Sequence, residues 1–484
     1  MSSIVLTDLQ KNAVKKILLN GSQGLGTVLA FEMGLGKTAT VCVAVKKLLE
    51  NNKERFGKVI IVAPVSVLKF WQDEFVKVGY TGDVCIYHRA FKEEVIPIAD
   101  CDVAICSYVG AETADLTEFN TIVLDEAHDP LRNGTTKLFK VFRDELSSKP
   151  VRIAITGTPI NNSAMDLFNL FQWVQPTLFP NKRDFRRFYH LIIKRGLSAK
   201  ASPEHMTRAL SRARGLGKAM KHFIIHHSKE VSGQYSFDVP MAMPQEQQDE
   251  YDYITGKHTQ VFKKRKKHTL ADGDVVFSES HSSDASRLKA LKQIQECRSV
   301  VAGDNCDVTH LSTFVQEHLD DLLAAGSTAF FFSRLSQMDG CKRLLEGRGI
   351  SFVEVRGATN PADRAEAVRA HNAGEVQVFL GSETACGVGI SLYTLATIVI
   401  CSPQWNRALT NQISARGSRP QNKNKVIVYN LYANETIEEP MKRVSRLKQR
   451  IIDSILGESP IDDAVMRHQA ERAKELLSFK RHLE

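Results

Sequence analysis

The sequence predicts an α/β protein of two units, each a parallel sheet flanked by helices. Three observations predict it. Short apolar runs rich in Val and Ile alternate with helix-period stretches, as in strands buried on both faces. The alternation occurs twice, separated by a region of different character. The length, 484 residues, is too great for one ordinary core and enough for two or three domains.

The elements follow in order. "TDLQKNAVKKILLN" opens with Thr7 or Asp8 as a helix cap, and Leu9, Ala13, Val14, Ile17 and Leu18 share its apolar side. "TVLAF" (27–31), "KVIIVAP" (58–64), "DVAICS" (102–107), "TIVLDE" (121–126) and "RIAITG" (152–157) read as strands of the first sheet. "TAFFFS" (328–333), "SFVEVRG" (351–357), "VQVFLGS" (376–382), "TIVICS" (397–402) and "KVIVYNL" (425–431) read as the second. Such sheets bind ligands beyond the carboxyl ends of their strands. Between them, residues 165–235 read as helical and rich in Phe, Arg and Lys, and 255–285 as a polar, mobile loop. Residues 441–484 read as charged helix.

Bulk properties exclude several classes. Apolar residues make up 43% and charged residues 25%, which suits a globular protein. No apolar run is long enough for a membrane span, and the N-terminus lacks the pattern of a secretory signal. Nine irregularly spaced cysteines without a C-x-x-C pair predict reduced, mostly buried thiols in cytosol or nucleus, and no zinc site. The net charge of +9 favours a polyanionic partner.

"AFEMGLGKTAT" (30–40) carries the chemistry. Met33, Gly34, Leu35, Gly36, Lys37 and Thr38 lie between a strand and a helix, the setting of a phosphate-binding loop. Glycines let the backbone amides turn towards phosphates, and the helix start adds a favourable dipole. Lys37 would reach the β- and γ-phosphates of ATP, and Thr38 would ligate Mg2+. Asp125 and Glu126 in "TIVLDEAH" lie 88 positions after Lys37 at another strand end. Asp125 would hold the metal, directly or through water, and Glu126 would polarise the attacking water. The usual loop has an earlier glycine where this chain has Phe31.

These residues resemble helicase superfamily two, and more narrowly the SWI/SNF-type DNA translocases, the motors of chromatin remodellers. The resemblance spans roughly residues 1–440 in motif order and implies two RecA-like lobes with helical insertions. It divides the chain into lobe one with its insertion (1–235), a helical insertion and linker (236–310), lobe two (311–440) and a helical brace (441–484). In that family the position of Phe31 is commonly acidic. "LTDLQKNAV" is similar to its opening motif, where Gln10 would read adenine. "IVAPVSVLKFWQDEF" resembles a segment whose Lys69 and Trp71 region faces the DNA strand or supports that face. "ITGTPINN" resembles the link between nucleotide and DNA, made by the Thr156 and Thr158 hydroxyls. "GSETACGVGISL" resembles a late motif contributing Gly387, with Cys386 where a glycine is usual. "QISARGSRPQ" keeps the spacing of Gln412, Arg416 and Arg419, and Arg416 and Arg419 would be the fingers that reach the γ-phosphate. An arginine finger contributes about 10³–10⁵ in rate.

The implied activity is that of a DNA-dependent ATPase, a double-stranded DNA translocase that remodels protein–DNA complexes, nucleosomes among them. The chain reads as a nearly bare motor, like the stand-alone members in large DNA viruses and some bacteria, and as a monomer. Candidate DNA contacts are Lys69, Ser107, Thr156, Arg334, Thr384 and Trp405, or these support the cleft wall. Lys263–Lys267 in "FKKRKKH" reads as a nuclear localisation signal, a DNA-contacting tip or a solvated loop. The three histidines of "HFIIHH" lack partners at metal-ligand spacing. A strand-separating DNA or RNA helicase and a DNA-binding transcription regulator that has lost hydrolysis are the alternatives.

Overall fold

The computed structural model describes residues 5–32, 34–88, 101–160, 163–197, 201–227, 234–262, 267–269, 275–277, 284–304, 308–386, 390–404, 407–417, 422 and 424–457. The chain divides into two compact units, Met1–Glu230 with Leu447–Pro460, and one that takes in Val231–Arg446.

The first unit holds a seven-stranded sheet: β1 (Thr27–Phe31), β2 (Val59–Val62), β3 (Val84–Tyr87), β4 (Val103–Cys106), β5 (Thr121–Leu124), β6 (Val151–Ile155) and β7 (Ile224–His227). Their spatial order is β3-β4-β2-β5-β6-β1-β7, and every pairing is parallel. Alternate residues of one strand feed opposite faces: Val28 and Ala30 enter one apolar cluster, Leu29 and Phe31 the other. That two-sided burial is why the strands read as continuous apolar runs. Phe31 is fully buried in the same cluster as Val41 and Val45, so this chain uses the position for core packing.

The second unit holds β8 (Gln234–Met241), a short hairpin of β9 (Lys267–Thr269) and β10 (Val275–Phe277), and a parallel sheet completed by β11 (Ser327–Phe332), β12 (Phe352–Val355), β13 (Val378–Ser382), β14 (Leu395–Ile400) and β15 (Val426–Ala433). Its order is β12-β13-β11-β14-β15-β8.

Several expectations are corrected. Residues 165–235 are not helical throughout: β7 and the start of β8 lie there. β7 borders β1, and β8 pairs along the whole length of β15. Neither run is apolar enough to stand out, because edge strands carry polar residues such as His226, His227, Gln234 and Ser236. β3 is only four residues long and half-buried, so its apolar run did not stand out. The stretch 255–285 is not all loop, since the helix Gln245–Phe262 and the β9–β10 hairpin enter it. Cys85 and Cys101 are joined as a disulfide, against the expectation of free thiols throughout; the strand ends bring the Cα atoms within 6.1 Å. The described free cysteines are otherwise buried, except half-buried Cys297.

The last described helix, Glu438–Leu456, belongs to the first unit from Leu447 onwards. There Ile451 and Ile455 pack with Ala209, Ala213 and Leu216. Gly217 makes this possible: a Cβ on it would stand 2.0 Å from the Ile455 carbonyl oxygen.

Candidate nucleotide site

The sequence-predicted residues of this unit sit on the loops after β1, β4, β5 and β6, on the helices that follow β1 and β2, or on the opening helix. The loop after β1 leads into the helix Lys37–Asn51. Gly34 and Gly36 have φ of 84° and 71°, a region open to glycine at little cost. A Cβ on Gly36 would also strike the Gln10 side chain at 2.2 Å. Gln10 is tied down on both sides: its Nε2 donates to the Leu35 carbonyl at 3.1 Å, and its Oε1 accepts from the Thr7 amide at 2.9 Å. The helix has no side-chain cap at Gly36, so its first-turn amides are left for a ligand or solvent. Lys37 folds back on the loop, its Nζ donating to the carbonyls of Phe31 (3.0 Å) and Glu32 (3.4 Å). Thr38 is half-buried in the first helical turn.

Two strands away, β5 delivers Asp125 and Glu126. The Asp125 carboxylate accepts from the Trp71 indole N–H at 2.9 Å and from the Glu126 amide at 2.9 Å. The Tyr108 hydroxyl donates to the Asp125 carbonyl at 2.9 Å. Burial pushes the Asp125 carboxyl up to about 6 and the Glu126 charge adds to it, while the Trp71 and Glu126 N–H groups and Lys37 pull the other way. Glu126 has φ 45°, a strained backbone for a non-glycine residue. His128 Nδ1 lies 3.4 Å from Glu126 Oε2 and 3.0 Å from Thr156 Oγ1, and the Thr158 amide donates to the same hydroxyl at 3.0 Å. The acidic loop and the loop after β6 are thereby joined.

These residues fit a magnesium-bound triphosphate. Uncapped amides, an ammonium group held by neutral carbonyls and a desolvated carboxylate all gain from an anion with its cation. Sequence reasoning missed the indole donor: Trp71 was expected at or behind the DNA face, and it is fully buried against Asp125. The Trp71 position inside an apolar helix stretch was its only signal.

The candidate DNA contacts separate by exposure. Lys69 is exposed, with Gln72 and Asp73 beside it, and Thr384 is exposed. Arg334 is half-buried, bonded to Asp304 and Gln295. Ser107 and Thr156 are buried: Ser107 caps the turn Tyr108–Ala111, and Thr156 joins the link just described. Met33, Gly387, Trp405, Arg419 and Lys263–Lys266 lie outside the described residues. Arg416 belongs to the helix Arg407–Gly417, with only its backbone described, and Lys267 stands in β9 on the same terms.

Next to Thr384, the second unit buries two carboxylates. Glu383 accepts from Gln404 Nε2, and burial pushes it up to about 8. Glu438 accepts from the Ala433 amide at 2.8 Å, and burial pushes it up to about 7. Arg298 opposes both shifts.

The family profile described as SNF2-related domain matches residues 9–300, more than half the chain. The chain belongs to the SNF2-related family. A helicase conserved C-terminal domain matches residues 313–421, which places this SNF2-family chain in helicase superfamily two. Among its relatives is the "Protein CHROMATIN REMODELING 24" of Arabidopsis thaliana, 24% identical over 87% of this chain and 44% of that protein. Another is the SWI/SNF-related matrix-associated actin-dependent regulator of chromatin subfamily A member 1 of Mus musculus, 25% identical over 99% and 46%. An uncharacterized ATP-dependent helicase of Mycoplasma genitalium is 26% identical over 93% and 42%. The chain thus spans less than half the length of these relatives. The Sulfolobus solfataricus SWI2/SNF2 ATPase core in complex with dsDNA is 18% identical, with a TM-score of 0.43 over 94% of this chain and 98% of that one.

Proposed function

We propose that this SNF2-family chain is an ATP-dependent double-stranded DNA translocase that remodels protein–DNA complexes. One observation carries the reading: Lys37 and Asp125 leave strands of the same sheet edge with Asp125 desolvated, fixed by two N–H donors and within the field of Lys37. Family membership and the chromatin-related names of several relatives support the DNA half of the reading.

Bound ATP with Mg2+ supplies the phosphoryl group and the charge neutralisation for its transfer to water. Lys37 exchanges its carbonyl partners for phosphate oxygens. Thr38 and Asp125 would hold the cation, and Glu126 would orient the water and accept its proton. Gln10, clamped to the loop, meets the adenine. His128, Thr156 and Thr158 carry the state of this loop to the end of β6. Arg416 and Arg419, by their motif spacing, would supply guanidinium groups to phosphoryl transfer. DNA is gripped by its backbone, with Lys69 and Thr384 as the exposed contacts, and a nuclear site of action agrees with the relatives' names.

The test is ATP turnover with single-stranded DNA, duplex DNA and RNA. Stimulation by duplex above the other two is expected. Turnover absent under all conditions would leave a non-hydrolysing regulator, and displacement of an unblocked strand would mean a strand-separating helicase.

A further inference from the structure

The chain's excess charge is concentrated in one place. Residues 182–221 carry 12 Lys or Arg against 2 Asp or Glu, a net of +10, while the whole chain has +9. Everything outside this stretch is therefore close to neutral. The stretch is helical: Lys182–Phe185, Arg186–His190 and Leu191–Gly196 run on from one another, and Pro203–Met220 packs back against them. Its inner side is apolar, with Phe185, Ile193, Ala209, Ala213, Leu216 and Met220 in the core of the first unit. Its outer side is basic. All 11 described Lys and Arg residues of the stretch are exposed, and among the described residues none forms an ion pair. They crowd one another as well: after burial, Lys194 and Arg186 are what hold His190 below its usual range.

Such a surface costs repulsion and gains nothing within the fold. Patches of like charge raise the local concentration of an oppositely charged partner. Seven of the 11 cations are Arg, whose planar fork suits phosphate oxygens. The helix Pro203–Met220 is about 27 Å long at ~1.5 Å per residue, and duplex DNA carries about one charge per 1.7 Å of axis. A single-strand binder would show a row of stacking aromatics. Here the exposed large apolar residues are Phe188 and Leu191, with the Arg187 guanidinium over the Phe188 ring. A protein partner would need a buried apolar anchor at the centre. We infer that the outer face of this helical insertion is a second binding surface, for the phosphate backbone of duplex DNA, apart from the motif residues at the sheet edge. The inference rests on the DNA-binding part of the proposed function and is independent of hydrolysis.

The experiment measures anisotropy of a labelled 30-base-pair duplex with the full chain, without nucleotide, from about 50 to 200 mM salt. Two triple variants are compared with the unaltered protein: Arg208→Gln/Arg212→Gln/Lys218→Gln and Arg183→Gln/Arg187→Gln/Lys194→Gln. Each lost phosphate contact should reduce the slope of log K against log salt by about 0.9. A reduction of roughly 2–3 per triple variant, with affinity at low salt down about tenfold or more, is expected, while basal ATP turnover and melting temperature stay unchanged. Replacing the same Arg residues by Lys should restore most of the slope. Unchanged slope and affinity in both variants overturn the inference while leaving the DNA reading intact. Absence of duplex binding by the unaltered protein overturns both. Retained duplex affinity with loss of polyglutamate binding would assign the surface to an acidic polypeptide and also overturn it.

Discussion

The P-loop edge and the helical insertion belong to the same unit and use charge in opposite ways. At the edge each charge is few, half-buried or buried, and fixed: Asp125 by Trp71 and its own loop, Lys37 by carbonyls. On the insertion the charges are many, solvated and, among the described residues, outside any ion pair. Fixed groups in a low dielectric are what phosphoryl transfer requires, because they do not reorganise during reaction. Solvated cations suit a partner gripped by total charge, whose position along the surface can slip. On the proposed function, chemistry and grip have separate places.

Four substitutions sharpen or break that comparison. The largest effect is expected for Arg416→Ala: turnover should fall by about 10³-fold or more with ATP affinity nearly unchanged, read by steady-state kinetics and nucleotide binding. Near-normal turnover would remove Arg416 from a role in phosphoryl transfer. Next, Glu126→Gln should reduce turnover by about 10²–10⁴-fold while ATP stays bound. Trp71→Phe keeps the bulk of the ring and removes the N–H donor. A hydrogen bond to a charged group contributes about 1.5–3 kcal/mol. The apparent affinity for Mg2+ in the hydrolysis assay should weaken by roughly tenfold or more, alongside a lower melting temperature from the lost bond and the smaller buried ring. An unaltered magnesium requirement would mean that Asp125 needs no such support.

The smallest effect concerns stability against pH. Glu383 and Glu438 are raised in the folded state, to about 8 and about 7. Their contribution is therefore fully present below the ordinary carboxylate range and is lost as pH rises towards 7–8. Glu383→Gln should flatten the decline in unfolding free energy between pH 5 and pH 8 by on the order of 1–2 kcal/mol. A variant that declines as steeply as the unaltered chain would show that Arg298 already keeps Glu383 ionised.

Much of this was legible in the sequence because the central strands announce themselves. Val59–Val62 and Thr121–Leu124 are buried on both faces, so their runs are unbroken and their ends mark where Asp125 and the loop residues must lie. Edge strands give no such signal, which is why Ile224–His227 was read as helical context. Long-range contacts were also illegible. The Trp71–Asp125 bond spans 54 positions and depends on how a helix lies over the sheet. Phe31 was visible as a departure, but only packing shows that it fills the core.

One short helix, Leu68–Lys77, carries one side chain into solvent and another into the site. Lys69 reaches outward and Trp71, two positions on, touches Asp125. Two residues advance a helix by only about 3 Å. On the proposed function a duplex takes hold of that lysine, and the indole proton lies close enough to report it: its resonance should move when a duplex is added and stay still in Lys69→Ala.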